Sequence, residues 1–76
     1  MKSKEVKTVA IKTEFIRLDA LLKLAGLCVT GGHAKMVIQN GEVRVDGEIC
    51  LMRGKKIRPG ETVSFQGTLV EVKAAA

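Results

Sequence analysis

A six-residue segment, RGKKIR, carries the densest positive charge in the chain. Its cations are Arg53, Lys55, Lys56 and Arg58, with no acidic residue among them. Positive charge at this density can bind phosphates or carboxylates. The segment follows a predicted hairpin and precedes Pro59-Gly60, a pair suited to the centre of a type II turn. We therefore expect the charges to be held in place, and the alternative is a solvated loop whose charges only aid solubility.

A second candidate site is the glycine pair Gly31-Gly32, which precedes an apolar helical pattern. The N-terminus of a helix exposes unpaired N–H groups and the positive end of the helix dipole, and both favour a phosphate. Glycine allows a ligand to come close because it has no Cβ atom. Thr30 either caps this helix or donates a hydrogen bond to the phosphate. The glycine pair also suits a tight turn between two helices, and the two interpretations are compatible.

Three further cations extend the candidate surface. Arg17, Lys35 and Arg44 are predicted on the outer faces of elements that neighbour the basic segment. For Arg44 and Arg53, the direction of the strands decides whether the side chain faces the ligand. The sequence thus predicts a binding surface built from several elements.

Catalytic chemistry has few candidate residues. His33 is the only histidine, and no CxxC, HxxxH or nucleophile-elbow motif accompanies it. Asp46 is explained by a turn and Asp19 by an exposed helix face, so neither indicates a metal site. The segment GLCVTGG lacks the Lys-Ser/Thr of a P-loop. We predict no catalytic residue, no metal, no cofactor and no small-molecule substrate.

The elements that must position these residues form a single predicted α+β domain over residues 1–76. A strand is predicted at 6–12, and a helix at 15–25 with Thr13 as its N-cap and Gly26 at its end. A second helix runs from the glycine pair to Asn40-Gly41. Alternating apolar residues and three turns, at residues 46–47, 59–60 and 66–67, predict the remaining strands. The predicted fold is two helices packed on a small, mostly antiparallel sheet of about four to five short strands, with residues 74–76 as a frayed tail.

The charge balance favours a polyanionic partner. Thirteen basic residues against eight acidic residues give a net charge of +5, which favours nucleic acid over an anionic membrane surface. No apolar run approaches the roughly 20 residues that span a bilayer, and the N-terminal segment lacks the apolar core of a secretory signal. Cys28 and Cys50 predict two free, buried thiols in a reducing cytosol, with a disulfide between them as the alternative. We therefore expect a cytoplasmic protein.

The aromatic content indicates the kind of nucleic acid. Phe15 and Phe65 are the only aromatic residues, and both stand at positions expected in the core. Proteins that hold single strands by base stacking need exposed aromatic side chains. The sequence therefore predicts recognition of backbone shape and charge, as duplex or folded RNA requires.

Residues 14–66 resemble the RNA-binding domain named after ribosomal protein S-four, which is also called the αL motif. The matching features are Arg17-Leu18-Asp19, the leucines that follow, Gly26, Ala34-Lys35, Ile38, Gly41-x-Val43-x-Val45-Asp46-Gly47 and Pro59-Gly60-Glu61. The chain is most similar to short stand-alone bacterial members. Gly31-Gly32 stands where many members have Ser-Arg, so an arginine contact is lost and backbone amides would have to replace it.

The resemblance implies a non-enzymatic module that binds structured RNA, either ribosomal RNA or ribosome-bound tRNA. It also implies that Arg17, Lys35 and the basic segment line the RNA face. We expect a monomer. Some relatives carry an additional domain that modifies RNA, and no such domain is predicted here. The alternatives are a protein-interaction module whose basic segment binds an acidic protein, and an accessory subunit of an enzyme whose catalytic chain is separate.

Overall fold

The computed structural model describes residues 5–75 of the chain. The elements in chain order are β1 (Glu5–Ile11), β2 (Ile16–Arg17), α1 (Leu18–Leu24), α2 (Gly31–Gln39), β3 (Val43–Val45), β4 (Glu48–Ile49), β5 (Lys56–Ile57), β6 (Thr62–Phe65) and β7 (Thr68–Ala74). The architecture is α+β, as the sequence predicts. No helix within residues 5–75 is long and apolar enough to cross a membrane.

Five strands form one sheet in the order β1-β7-β6-β3-β4. β1 runs parallel to β7, whereas the other neighbours are antiparallel. The prediction of a mostly antiparallel sheet is therefore confirmed. Asp46-Gly47 and Gln66-Gly67 have positive φ at both residues, which is the geometry of the tight two-residue turns that join antiparallel strands.

Alternation along the strands separates the two faces of the sheet. Val43 and Val45 are buried, and Arg44 between them is exposed. The helices contribute the other side of the same core through their buried residues, which are Leu18, Leu21 and Leu22 of α1 and Ala34, Val37 and Ile38 of α2. Because successive side chains of a strand point to opposite faces, Arg44 lies on the sheet face that is turned away from the helices.

Helix α1 begins at Leu18 rather than at residue 15, and Thr13 is not its N-cap. The Thr13 hydroxyl instead donates a hydrogen bond to the carbonyl of Phe15 at 2.8 Å. Arg17 occupies the N-cap position and makes no capping bond with its side chain. The prediction for this helix terminus was therefore wrong.

The basic segment caps α1 from a distance in sequence. The N–H groups of Leu18 and Asp19 donate to the backbone carbonyls of Lys55 and Arg53, at 2.9 and 3.1 Å. The first N–H groups of a helix need acceptors from outside the helix, and here the basic segment supplies two of them. This contact fixes the segment against the start of α1.

Strands β2 and β5 form a two-stranded antiparallel ribbon of their own. Ile16 lies opposite Ile57, and Arg17 lies opposite Lys56. Ile57 is fully buried, so it anchors the ribbon in the core. The backbone that carries the charges of the basic segment is therefore held in place, as expected.

Phe15 does not lie in the core, contrary to the prediction. Its relative exposure is 37%, whereas Phe65 is 4% exposed, as expected. Ile16 packs against the core at the next position, and the alternation of an extended chain turns Phe15 outward. The premise that both aromatic residues are buried is wrong.

The predicted frayed tail begins too early. β7 continues to Ala74, and the N–H of Ala75 donates to the carbonyl of Ile11 at 2.7 Å. Residues 1–4 and 76 lie outside the described residues.

Both cysteines are free thiols, as expected, with Cys28 buried and Cys50 only half-buried.

Candidate functional site

A shallow recess lies where the two helices approach each other. Its lining residues are Arg17, Asp19, Ala20, Lys23 and Gly31. α1 and its N-cap contribute the two cations, and the first residue of α2 contributes a helix N-terminus. We call this concavity the helix recess; it places positive side chains beside the positive end of a helix dipole.

Thr30 is the N-cap of α2, which is one of the two roles predicted for it, and contact of its hydroxyl with a ligand stays a prediction. Its hydroxyl oxygen accepts a hydrogen bond from the N–H of His33 at 3.1 Å. Gly31 and Gly32 form the first turn of the helix, where N–H groups have no acceptor within the helix itself. Thr30 thus serves as a cap, and the amides beside it face outward along the helix axis.

Neither glycine of this pair is required by the local backbone. Gly31 and Gly32 are absent from the positions with positive φ. A Cβ atom built at Gly31 meets nothing within 4 Å, and one at Gly32 meets only the Thr30 hydroxyl at 3.9 Å. Alanine would therefore fit at both positions. The turn between the helices therefore does not require glycine at either position.

A second concavity lies over the basic segment, and we call it the loop depression. Its lining residues are Met52, Gly54, Lys55, Lys56, Arg58 and Glu61. Glu61 has a structural role, because its Oε1 accepts a hydrogen bond from the N–H of Arg58 at 2.6 Å and so closes the turn around Pro59-Gly60. Three cations of the predicted set therefore share one open concavity.

Arg17 connects the helix recess with the loop depression. Its Nη2 atom lies 3.4 Å from Oδ2 of Asp19, and a Cβ atom built at Gly54 would lie 3.8 Å from the same nitrogen. Arg17 also shares one face of the ribbon with Lys56, since directly opposed residues of paired strands point the same way. The two concavities thus form one charged surface.

Lys35 extends this surface along α2. It is exposed and follows Gly31 by four residues, so both lie on the same side of the helix. We define the basic face as Arg17, Lys23, Gly31, Gly32, Lys35, Lys55, Lys56 and Arg58. Clustered cations beside exposed backbone amides are an arrangement that favours the binding of anions.

Two predicted site residues do not line either concavity. Arg44 lies on the opposite face of the sheet. Arg53 is exposed in the basic segment and contributes its backbone carbonyl to Asp19. Contact of either side chain with a ligand stays a prediction.

Lys23 and Phe15 are residues of this region that the sequence analysis did not assign to the site. Lys23 is three residues after Ala20, a spacing that places the two on one side of α1, but only the position of α2 shows that this side forms a recess. Phe15 borders the face because the Nζ atom of Lys56 lies 4.9 Å from the centroid of its ring, which is a cation–π distance. No local pattern indicates that contact.

The remaining candidate groups have structural roles. Oδ1 of Asp46 accepts hydrogen bonds from the N–H and the hydroxyl of Thr62, at 2.9 and 3.2 Å. Burial raises the pKa of the Cys28 thiol, and the negative charge of Glu42 adds to the effect, so the thiol stays protonated and unreactive at neutral pH. Within residues 5–75, no cluster of three or more His, Cys, Asp or Glu side chains is placed to hold a metal ion.

Comparison with protein families gives a match to the S4 domain over residues 9–73. Among individual proteins, YbcJ of Escherichia coli (strain K12), a candidate RNA-binding protein by its name, is 43% identical over 63 residues. These cover 83% of this chain and 90% of YbcJ. RlbA of Bacillus subtilis (strain 168), named as a probable ribosome maturation protein, is 39% identical over 59 residues, which cover 78% of this chain and 83% of RlbA.

A solved structure has the same fold. The solution structure of YbcJ from E. coli, described as revealing an αL motif involved in RNA binding, aligns with a TM-score of 0.67 at 38% sequence identity. The alignment covers 97% of this chain and 92% of the YbcJ chain. The sequence resemblance to the αL motif and the α+β architecture are both confirmed by this similarity.

Proposed function

This chain belongs to the S4 domain family, and on that premise we propose that it binds structured RNA through the basic face, without catalysing a reaction. The observation that carries the proposal is the joining of two cationic concavities by Arg17. Five cations line them against two carboxylates, Asp19 and Glu61. Asp19 pairs with Arg17, and Glu61 accepts from a backbone N–H, so the excess of cations leaves the surface with a net positive charge.

The basic face suits the phosphate backbone of a folded RNA. Its cations come from α1, α2 and the ribbon, so they are spread over a surface that a rigid array of phosphates can match. The amides of Gly31 and Gly32 add donors for one phosphate beside Arg17 and Lys23. Affinity then comes from charge and shape, and it falls as salt displaces the protein from the phosphates.

The names of the relatives suggest which RNA is involved. YbcJ is named for RNA binding and RlbA for ribosome maturation. We infer that the RNA bound by this chain is ribosomal RNA, or a tRNA on the ribosome, and that binding serves ribosome maturation.

The test compares a hairpin RNA with an unstructured strand of equal length across a salt series. Wild type should bind the hairpin more tightly, with a log–log salt slope of about 0.7 to 0.9 per phosphate contact. The double variant Lys55→Glu, Lys56→Glu should bind the hairpin much more weakly, with a slope smaller by about two phosphate contacts, while its thermal melting shows that it is folded.

Equal and weak binding of both RNAs by wild type, unchanged in the double variant, would contradict the proposal. The basic face would then be a solvated surface or a docking site for an acidic protein. A protein partner that survives nuclease treatment in a pull-down and is lost in the double variant would identify the second case.

A further inference from the structure

We propose that Phe15 and Lys56 form a stacking site for one unpaired nucleobase at the margin of the basic face. The proposal rests on the RNA binding proposed above and adds to it a ligand feature that charge and shape do not supply. The ligand is a folded RNA with a nucleotide in a bulge or loop, whose base stacks on the Phe15 ring.

The position of Phe15 is set by its neighbours in the chain. Ile16 packs against the core and pairs with the fully buried Ile57. The Thr13 hydroxyl donates to the carbonyl of Phe15 at 2.8 Å and restrains the backbone on the other side. The ring therefore lies outward and 37% exposed, directly before the ribbon, on backbone that is anchored on both sides.

One face of the Phe15 ring is turned toward the Lys56 ammonium and not into the core. The Nζ atom of Lys56 lies 4.9 Å from the ring centroid, and Lys56 is itself exposed. A nucleobase has a π-face that can take the place of the ammonium on the ring. The displaced ammonium then has the phosphate of the same nucleotide as its partner.

The cations around Phe15 fit this arrangement. Arg17 lies opposite Lys56 on the ribbon, and Arg58 directly follows the end of β5. A base on the ring thus has Lys56 beside it and further cations of the basic face on the same ribbon or directly after it. Phe65, the other aromatic residue of the chain, is buried in the core, so stacking by this protein depends on Phe15.

The test uses two RNA hairpins that differ by one bulged nucleotide, a fluorescent adenine analogue. Stacking of one base on an aromatic ring adds favourable free energy to binding. Wild type should therefore bind the bulged hairpin at least about fivefold more tightly than the fully paired hairpin. The fluorescence of the bulged base should fall on binding. An abasic bulge should bind like the paired hairpin, which tests stacking without altering the protein.

Three variants assign the effect to Phe15. Phe15→Leu should lose the preference for the bulge and the fluorescence change, whereas Phe15→Trp should keep both. Val6→Ala, at a 56% exposed apolar position on β1, is the control and should behave as wild type. All three should keep the wild-type salt slope because no charge changes.

The outcomes separate this inference from the proposed function. Salt-sensitive binding of both hairpins with no preference for the bulge, or a preference that the abasic bulge or Phe15→Leu retains, would overturn the stacking site and leave RNA binding intact. Failure of wild type to bind either hairpin would overturn both.

Discussion

Arg17 and Lys56 lie directly opposite each other on β2 and β5, so two cationic side chains share one face of a two-stranded ribbon. Like charges at directly opposed positions destabilise a strand pair. Asp19, 3.4 Å from Arg17, offsets part of the repulsion, and the Lys56 ammonium lies over the Phe15 ring. A phosphate bound between the two cations would relieve the rest.

The first prediction is that Lys56→Glu weakens RNA binding while the fold survives. The substitution replaces a cross-strand repulsion with an attraction to Arg17 and removes the cation–π contact with Phe15. These effects oppose each other, so the free energy of unfolding should change by less than about 1 kcal/mol. RNA affinity should fall, and the slope of log affinity against log salt concentration should decrease by the contribution of about one phosphate contact. Urea denaturation measures the free energy of unfolding, and binding titrations in a salt series measure the affinity and the slope. Loss of stability in step with loss of binding would show that Lys56 acts through the fold.

The second prediction concerns the face of the protein that RNA contacts. Arg44→Glu makes the same change of charge as Lys56→Glu, but on the sheet face turned away from the helices. We expect it to weaken RNA binding less, since it acts only through the screened long-range field. Parallel titrations of the two variants at several salt concentrations compare them directly. An equal loss of affinity would indicate that the whole surface attracts RNA and that the basic face has no special role.

Much of the fold could be predicted because its signals are local. The turns at Asp46-Gly47 and Gln66-Gly67 are specified by residues that tolerate positive φ, and the start of α2 by Thr30. The ribbon could not be predicted, since residues 16–17 pair with residues 56–57 far along the chain. The error at the start of α1 has the same origin: its first N–H groups bind carbonyls of the basic segment.

The site was predictable to the extent that charges cluster along the sequence. RGKKIR is contiguous, so its role in a charged surface could be recognised from the residues alone. Lys23 and Phe15 join that surface only through the positions of α2 and β5. The orientation of Arg44 depends on which face of the sheet the helices cover. Sequence patterns near Lys23 and Phe15 carry no information about such long-range placement.

The third prediction is that Asp46 stabilises the fold by linking β3 to β6. Its Oδ1 accepts two hydrogen bonds from Thr62, and its φ of 50° is one that aspartate and asparagine tolerate better than most residues. Asp46→Ala should lower the free energy of unfolding by about 1–3 kcal/mol. Asp46→Asn keeps an acceptor and should lose less. Urea unfolding ranks the variants, and equal stability of all three proteins would show that these bonds contribute nothing.

The fourth prediction is a pH dependence of stability that arises from Cys28. Burial raises the pKa of its thiol above the ordinary value of 9.0, so above that pH the unfolded chain loses the proton before the folded chain does. The stabilisation that comes from this difference in pKa is fully present below the ordinary pKa of the thiol. It is lost as the pH rises through the pKa that the thiol has in the folded chain. The stability gap between wild type and Cys28→Ala should therefore narrow at alkaline pH. Urea unfolding of both proteins between about pH 7 and about pH 10 measures it. A gap that stays constant over this range would exclude the effect.

The last prediction separates folding from function at the glycine pair. Gly31 and Gly32 lie in the first turn of α2 with space for a Cβ atom and without positive φ. Because glycine is a poor helix former, Gly31→Ala and Gly32→Ala should each raise the free energy of unfolding, by up to about 1 kcal/mol. If an RNA phosphate approaches these amides, the added methyl groups should weaken RNA binding in the same stabilised proteins. Denaturation and salt-series titrations on each variant give both quantities, and Met36→Ala, an exposed change later in α2, serves as the comparison. A gain in stability with unchanged affinity would remove the glycine amides from the binding surface and leave its side-chain cations to bind RNA without them.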